Sequence, residues 1–399
     1  MSEIEHTYGQ GAASQAGRSR AGPDRDSVHT PRGDGGPQVP RAAPTSYYGL
    51  PVLNGPVWTW EVPVYFFAGG MAGASAPLAL AASLRGNDRL ARAASIVALA
   101  GVAVSPPLLV ADLGRPARFL NMLRMFKVTS PMSVGAWILS AFAPAVAAGA
   151  ARELLGVLPA VGRAGQLSGA VLGPALSTYT AALLANTSVP AWHEARHELP
   201  FVFAGSSLAS AGSAASLLAP AGDAAQARRL AVGGALLSLA ATETMEHRLG
   251  PLAAPYRDGS AAAPARAAKA LTAAGALAMA AGPVAQVRAA LGRRRARGGG
   301  ARVLGVRARA ARTPLGPRRT RATPPAVHAG PPPAAHVAPP PVRAVQAAGA
   351  VALLAGAALE RWAILAAGRD SAADPAATIG PQRARADREQ GAAPPASHG

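Results

Sequence analysis

Cysteine is absent from the 399 residues. The chain therefore forms no disulfide, no thiolate zinc site and no cysteine-ligated iron–sulfur cluster of its own. If electrons pass through it, another subunit or a diffusible carrier must hold them. Charge is also scarce: 15% of the residues are Asp, Glu, Lys or Arg, where a soluble domain carries roughly a quarter. Aromatics make up only 5%. Histidine is missing from the long apolar runs, and a transmembrane bis-histidine haem needs it there, so no haem is expected. A Walker A lysine loop and a GxSxG elbow are both lacking, which removes the commonest signatures of nucleotide hydrolysis and ester hydrolysis.

What is present is hydrophobic residue, 50% of the chain, gathered into runs between charged punctuation. That pattern predicts an all-α polytopic integral membrane protein. Eight runs approach the ~20 residues needed to cross hydrocarbon: Val62–Leu84, Ala93–Ala111, Met132–Ala151, Leu167–Val189, Pro200–Pro220, Leu230–Met245, Ala270–Val287 and Val345–Ala367. Trp58, Trp60, Tyr65, Phe66 and Phe67 give the first run an aromatic belt at its leading end. Gly69, Gly70 and Gly73 give it a face for close helix packing. Ser130 and Pro131 read as N-cap and first helical residue of the third run.

Residues 1–45 are polar and are expected to be disordered, as are 368–399. No secretory signal pattern is expected, because the first apolar run begins after position 60. The transmembrane region is expected over 46–291, with the eighth helix at 345–367. Between them, 292–344 is rich in Arg, Pro and Gly, and thirteen Arg lie between Arg288 and Arg343. It reads either as a disordered basic linker or as an out-of-frame translation of GC-rich coding sequence, since helix-like sequence resumes cleanly at Val345. The net charge of +19 is not interleaved with aromatics, so no nucleic-acid partner is expected. Contact with anionic membrane lipid accounts for it better. The Lys and Arg bias of the shorter connections places the termini in the cytoplasm.

The connection from Ser105 to Trp137 stands apart. The second apolar run ends at Asp112, and Gly114, Arg115 and Pro116 break the helix. In the segment 116–127, Phe119, Met122, Leu123 and Phe126 share one helical face, with Arg118, Asn121 and Arg124 on the other. This predicts an amphipathic helix at the boundary of hydrocarbon and water. Asp112 is expected either to pair with Arg115 or Arg118 or to handle protons.

Ionisable groups beside spans are costly and so are functional candidates: Glu61, Asp112, Glu243 and Glu360, all near span ends. His193, Glu194, His197 and Glu198 follow the fourth run. His193 to His197 matches HExxH literally, but it lies in a short connection between Pro190 and Pro200, where a zinc peptidase needs a helix facing a cavity. No metal site is expected.

Several stretches together resemble the NrfD-like family, the membrane subunits of polysulfide reductase and related molybdoenzyme complexes, in its actinobacterial type. They are YYGLPVLNGPVWTWEVPVYFFAGGMAG (47–73), ADLGRPARFLNMLRMFKVTSPMSVGAW (111–137), TYTAALLANTSVPAWHEARHELPFVFAG (178–205), TETMEHRLG (242–250) with PYR (255–257), and SAADPAATIGPQR (371–383). The resemblance implies an eight-helix subunit in two bundles, exchanging electrons between menaquinone and a ferredoxin-like iron–sulfur subunit that serves a molybdopterin catalytic subunit. It implies no covalently bound cofactor. It also implies a quinone pocket drawing on an Asn and a His at the start of the first span and a Tyr in the fourth. Tyr179 matches that tyrosine. The His falls at Tyr65 and the Asn at Val62, next to Glu61, so neither identity is retained. Tyr179, Glu61, Tyr65 and Asp112 are thus the expected quinone-binding and proton-transfer residues, with Arg115, Arg118, His193 and Glu243 in structural or interface roles. The alternatives are a transporter or a structural anchor without a redox role.

Overall fold

The computed structural model describes residues 53, 55–56, 58–113, 115, 117–300, 340–380 and 383; the side chains of 282–300 and 340–341 fall outside that description. The polar N-terminal tail, the core of the basic segment at 301–339 and most of the C-terminal tail also lie outside the described residues.

Among the described residues there is no strand, and the chain is an all-α polytopic membrane protein. Its helices are α1 (Glu61–Leu84), α2 (Asp88–Asp112), α3 (Ala117–Met122), α4 (Pro131–Ala150), α5 (Pro159–Ala185), α6 (Pro190–His193), α7 (Leu199–Leu218), α8 (Ala225–Leu249), α9 (Ala254–Asp258), α10 (Ala262–Gly300) and α11 (Pro340–Ala373). Eight of these are long. They pack as antiparallel neighbours in two groups, α1, α2, α4 and α5 and then α7, α8, α10 and α11, joined where α7 meets α1, α5 and α2 and where α1 meets α11.

Six helices among the described residues are long and apolar enough to cross a membrane, rather than the eight expected from sequence. α8 falls short because Arg228, Arg229, Glu243, Glu246 and Arg248 toward its ends dilute the apolar stretch. In α10 the charge-free run 270–287 extends past residue 281, beyond which side chains fall outside the described residues. α10 also continues through Gly300, past the expected start of the basic linker at 292.

Local chemistry explains the helix ends. The side chain of Asn87 accepts from Leu90 N at 3.2 Å and caps α2. Ser130 accepts from Ser133 N and caps α4, with Pro131 in the first turn as expected. These side-chain acceptors satisfy amides that no helical carbonyl can reach.

Close packing rests on small residues. A Cβ on Gly73 would lie 2.5 Å from the Gly173 carbonyl oxygen, and one on Gly173 would lie 2.2 Å from that of Gly73. The backbones of α1 and α5 therefore touch, as the glycine face of α1 predicts.

Candidate functional site

The leading ends of α1 and α4, the trailing ends of α2 and α5, and α3 meet at one end of the first helix group. Between them lies a cleft whose empty space, counted out to its mouth and including open solvent, is about 470 Å³. Its apolar walls are Val62, Phe66, Leu108, Leu109 and Leu183, with Trp58 at the rim. Met122 and Met132 also line it, and their flexible side chains can move aside for a flat ring.

Three polar side chains line this apolar cleft: Tyr65, Asp112 and Tyr179. Tyr65 is 3% exposed, and its hydroxyl has no hydrogen-bond partner among the described residues. An unpaired buried hydroxyl is rare and costly. Here it belongs to a residue that lines the cleft. Tyr179 is half-buried, its ring pressed against Gly135: a Cβ there would sit 2.0 Å from the ring. Gly135 thus sets where Tyr179 stands, a role that sequence reading did not assign. The near-contact leaves no sequence pattern, because the two residues are on different helices.

Asp112 closes α2 at its negative pole, where a carboxylate is electrostatically out of place. No salt bridge to Arg115 or Arg118 forms; the Arg118 guanidinium instead donates to the Leu113 carbonyl at 3.0 Å and offsets the helix end. Arg115 is exposed. Glu61 does not line the cleft. It opens α1 just outside, accepts from the Thr59 hydroxyl, and is near enough to Asp112 for the two carboxyls to interact electrostatically.

The amphipathic segment is shorter than its periodicity suggests. α3 ends at Met122, so Phe126 leaves the expected face and packs edge-on against Trp137 at 6.2 Å. The reason is competition from Ser133. Its hydroxyl accepts from Lys127 N and donates to the Met125 carbonyl, both at 3.1 Å, and this ties 125–127 to the start of α4 in a turn.

The HExxH segment carries no metal-site geometry. The ring of His193 pairs through Nδ1 with the Ala185 carbonyl at 3.0 Å, and the segment turns before α7. Glu198 is held by Arg248, at 2.5 Å from Nε and 2.6 Å from the terminal guanidinium nitrogen. Burial pulls the Glu198 carboxyl up, but the hydrogen bonds and charge of Arg248 outweigh it and hold the group below the usual carboxylate range. Among the described residues, no three His, Cys, Asp or Glu cluster as metal ligands would. Glu243 is exposed and forms a salt bridge with Lys269 at 2.8 Å.

The cleft residues run from Trp58 to Leu183, inside a stretch that known proteins share. The family model described as "Polysulphide reductase, NrfD" matches residues 51–231. That stretch is similar to the NrfD family. A similar protein is the C subunit of polysulfide reductase from Wolinella succinogenes, 31% identical over 99 residues, which are 23% of this protein and 31% of that one. The match thus spans about a third of the length of that curated relative. The NrfD region takes in α1 to α7 and the start of α8; the rest of α8 and all of α9 to α11 lie beyond it.

Proposed function

We propose that this protein is the membrane subunit of an oxidoreductase complex and that its cleft exchanges electrons and protons with a quinone, menaquinone by the resemblance. The observation that carries the reading is the buried, unpartnered Tyr65 hydroxyl in an apolar cleft shared with Asp112 and Tyr179. Quinol oxidation releases two electrons and two protons, so each ring oxygen needs a polar group within ~2.6–3.2 Å, directly or through one water. Tyr65 and Tyr179 serve as donors to the two ring oxygens, and the apolar walls hold the ring. Asp112 takes protons from the ring side and, with Glu61 outside the cleft, passes them toward water. The electrons are exchanged with an iron–sulfur subunit docked on the complex, which serves a molybdopterin catalytic subunit. The cysteine-free protein has no cysteine-ligated cluster with which to keep them. The membrane is the cytoplasmic membrane of the cell.

Purified with its partner subunits, the complex should turn over a menaquinol analogue. Tyr65→Phe and Tyr179→Phe are each expected to slow that turnover by ~10-fold or more, with the folded protein retained. Gly135→Ala, which drives a methyl into the Tyr179 ring, should do the same. Unchanged turnover in all three overturns the site, and purification without any iron–sulfur protein overturns the function.

A further inference from the structure

A second cleft lies in the other helix group, almost wholly outside the NrfD region. Its empty space is about 390 Å³, and it runs between α7, α8, α9, α10 and α11. Val202, Leu239, Met245, Ala363 and Ile364 make it mostly apolar. Lys269 lies along it and bridges Glu246 at 2.9 Å and the exposed Glu243 at 2.8 Å. Deeper in, the cleft reaches Glu360. Sequence reading puts Glu360 near the end of a span. In the structure α11 runs on to Ala373, so the carboxyl lies well inside the helix and the bundle.

We infer that Glu360 is a proton-loading site inside the membrane region, reached from water through this cleft. The surroundings of Glu360 separate this from an ordinary buried ion pair. On its own helix, Arg361 donates to it at 2.8 Å, and from α8 the Ser238 hydroxyl donates at 2.5 Å. Arg361 is 2% exposed, lies 3.8 Å over the Phe203 ring and donates to the Phe203 carbonyl of α7. α7 presents no charged side chain here, α9 presents Tyr256, α10 presents Lys269, and α8 adds Glu246.

A closed structural pair would be sealed by apolar packing on every side. This one faces a cavity, and the cavity holds an unmet polar group. Tyr256 is 4% exposed, lines the cleft, and its hydroxyl has no partner among the described residues. Such a hydroxyl in a cleft reached by a carboxylate calls for water to satisfy it. A guanidinium 2.8 Å from the carboxylate repels a metal cation, whereas a proton is accepted without a coordination shell. The step is a plain transfer: water at the mouth gives a proton to the Glu360 carboxylate, leaving hydroxide that the bulk neutralises, and the return step reverses it. Arg361 keeps its charge throughout, so each cycle moves one positive charge into and out of the interior.

The test needs neither quinone nor partner turnover, so it stands or falls apart from the quinone reading. Dicyclohexylcarbodiimide modifies protonated carboxyls in apolar surroundings. With full-length protein in membrane vesicles, peptide mapping by mass spectrometry should find the adduct on Glu360, increasing as pH falls and absent in Glu360→Gln. Tyr256→Phe, which removes the ordering hydroxyl, should slow modification several-fold. Modification confined to Glu243 or Glu246, or no Glu360 adduct at any pH, overturns the inference. So does an adduct whose rate ignores both pH and the Tyr256 change.

Discussion

Glu198 directly follows the HExxH stretch, and its partner is Arg248, fifty positions away on another helix. That pairing carries a pH signature. The carboxyl is held below its ordinary value in the fold, so the unfolded state binds a proton more readily than the folded one. The stabilisation is therefore complete above the unfolded value near ~4.3 and is lost as pH falls through the lower folded value. Because Arg248 is over a third exposed, the contribution should be about 1 kcal/mol or less. Glu198→Gln should lower the unfolding temperature at neutral pH and leave it nearly unchanged in acid. Equal losses at both pH values would show that the pair is not the source. The same residue scale separates the cleft groups. Tyr65 and Tyr179 were legible in sequence through resemblance, but Glu61 was expected among them and stands outside. A one-residue step along a helix turns a side chain by about 100°, and sequence proximity does not report that rotation.

At the scale of elements, the long helices were legible because apolar runs and caps carry the signal locally: Ser130 and Pro131 open α4 as their types predict. Boundaries of the amphipathic connection were not, since Ser133 competes for the backbone of 125–127. The contact between α1 and α5 is the element-level feature most exposed to mutation. Gly173→Ala places a methyl 2.2 Å from a backbone oxygen, and backbone, unlike a flexible side group, has no rotamer into which to swing away. The substitution should destabilise the detergent-solubilised protein by about 1–3 kcal/mol, read as a lowered thermal midpoint. A midpoint unchanged from the parent would mean that the two helices separate without cost.

For the whole molecule, the open question is how many of the eight long helices cross the bilayer. The cysteine-free sequence is a clean background for single-cysteine labelling. If all eight cross, Ser83→Cys and Asp223→Cys label from one side, and Ser188→Cys and Asp258→Cys from the other. The structure already ties the first pair together: the Asn87 amide donates to the Asp223 carbonyl at 2.9 Å, joining the α1–α2 turn to the α7–α8 turn. Labelling of Asp258→Cys from the same side as Asp223→Cys would show that α8 does not cross.

The membrane class, the all-α fold and the absence of any cysteine-ligated cluster were determined by the sequence itself, through its apolar runs and its lack of cysteine. These follow from composition and local periodicity, which need no knowledge of the partners of any residue. Only the tertiary structure decided which polar groups meet. It brought Tyr65, Asp112 and Tyr179 from three helices onto one apolar cleft, left Glu61 outside it, and buried Glu360 against Ser238 and Arg361. The physical reason is that a burial or an unpaired hydroxyl belongs to several helices at once, and no single run of residues encodes it.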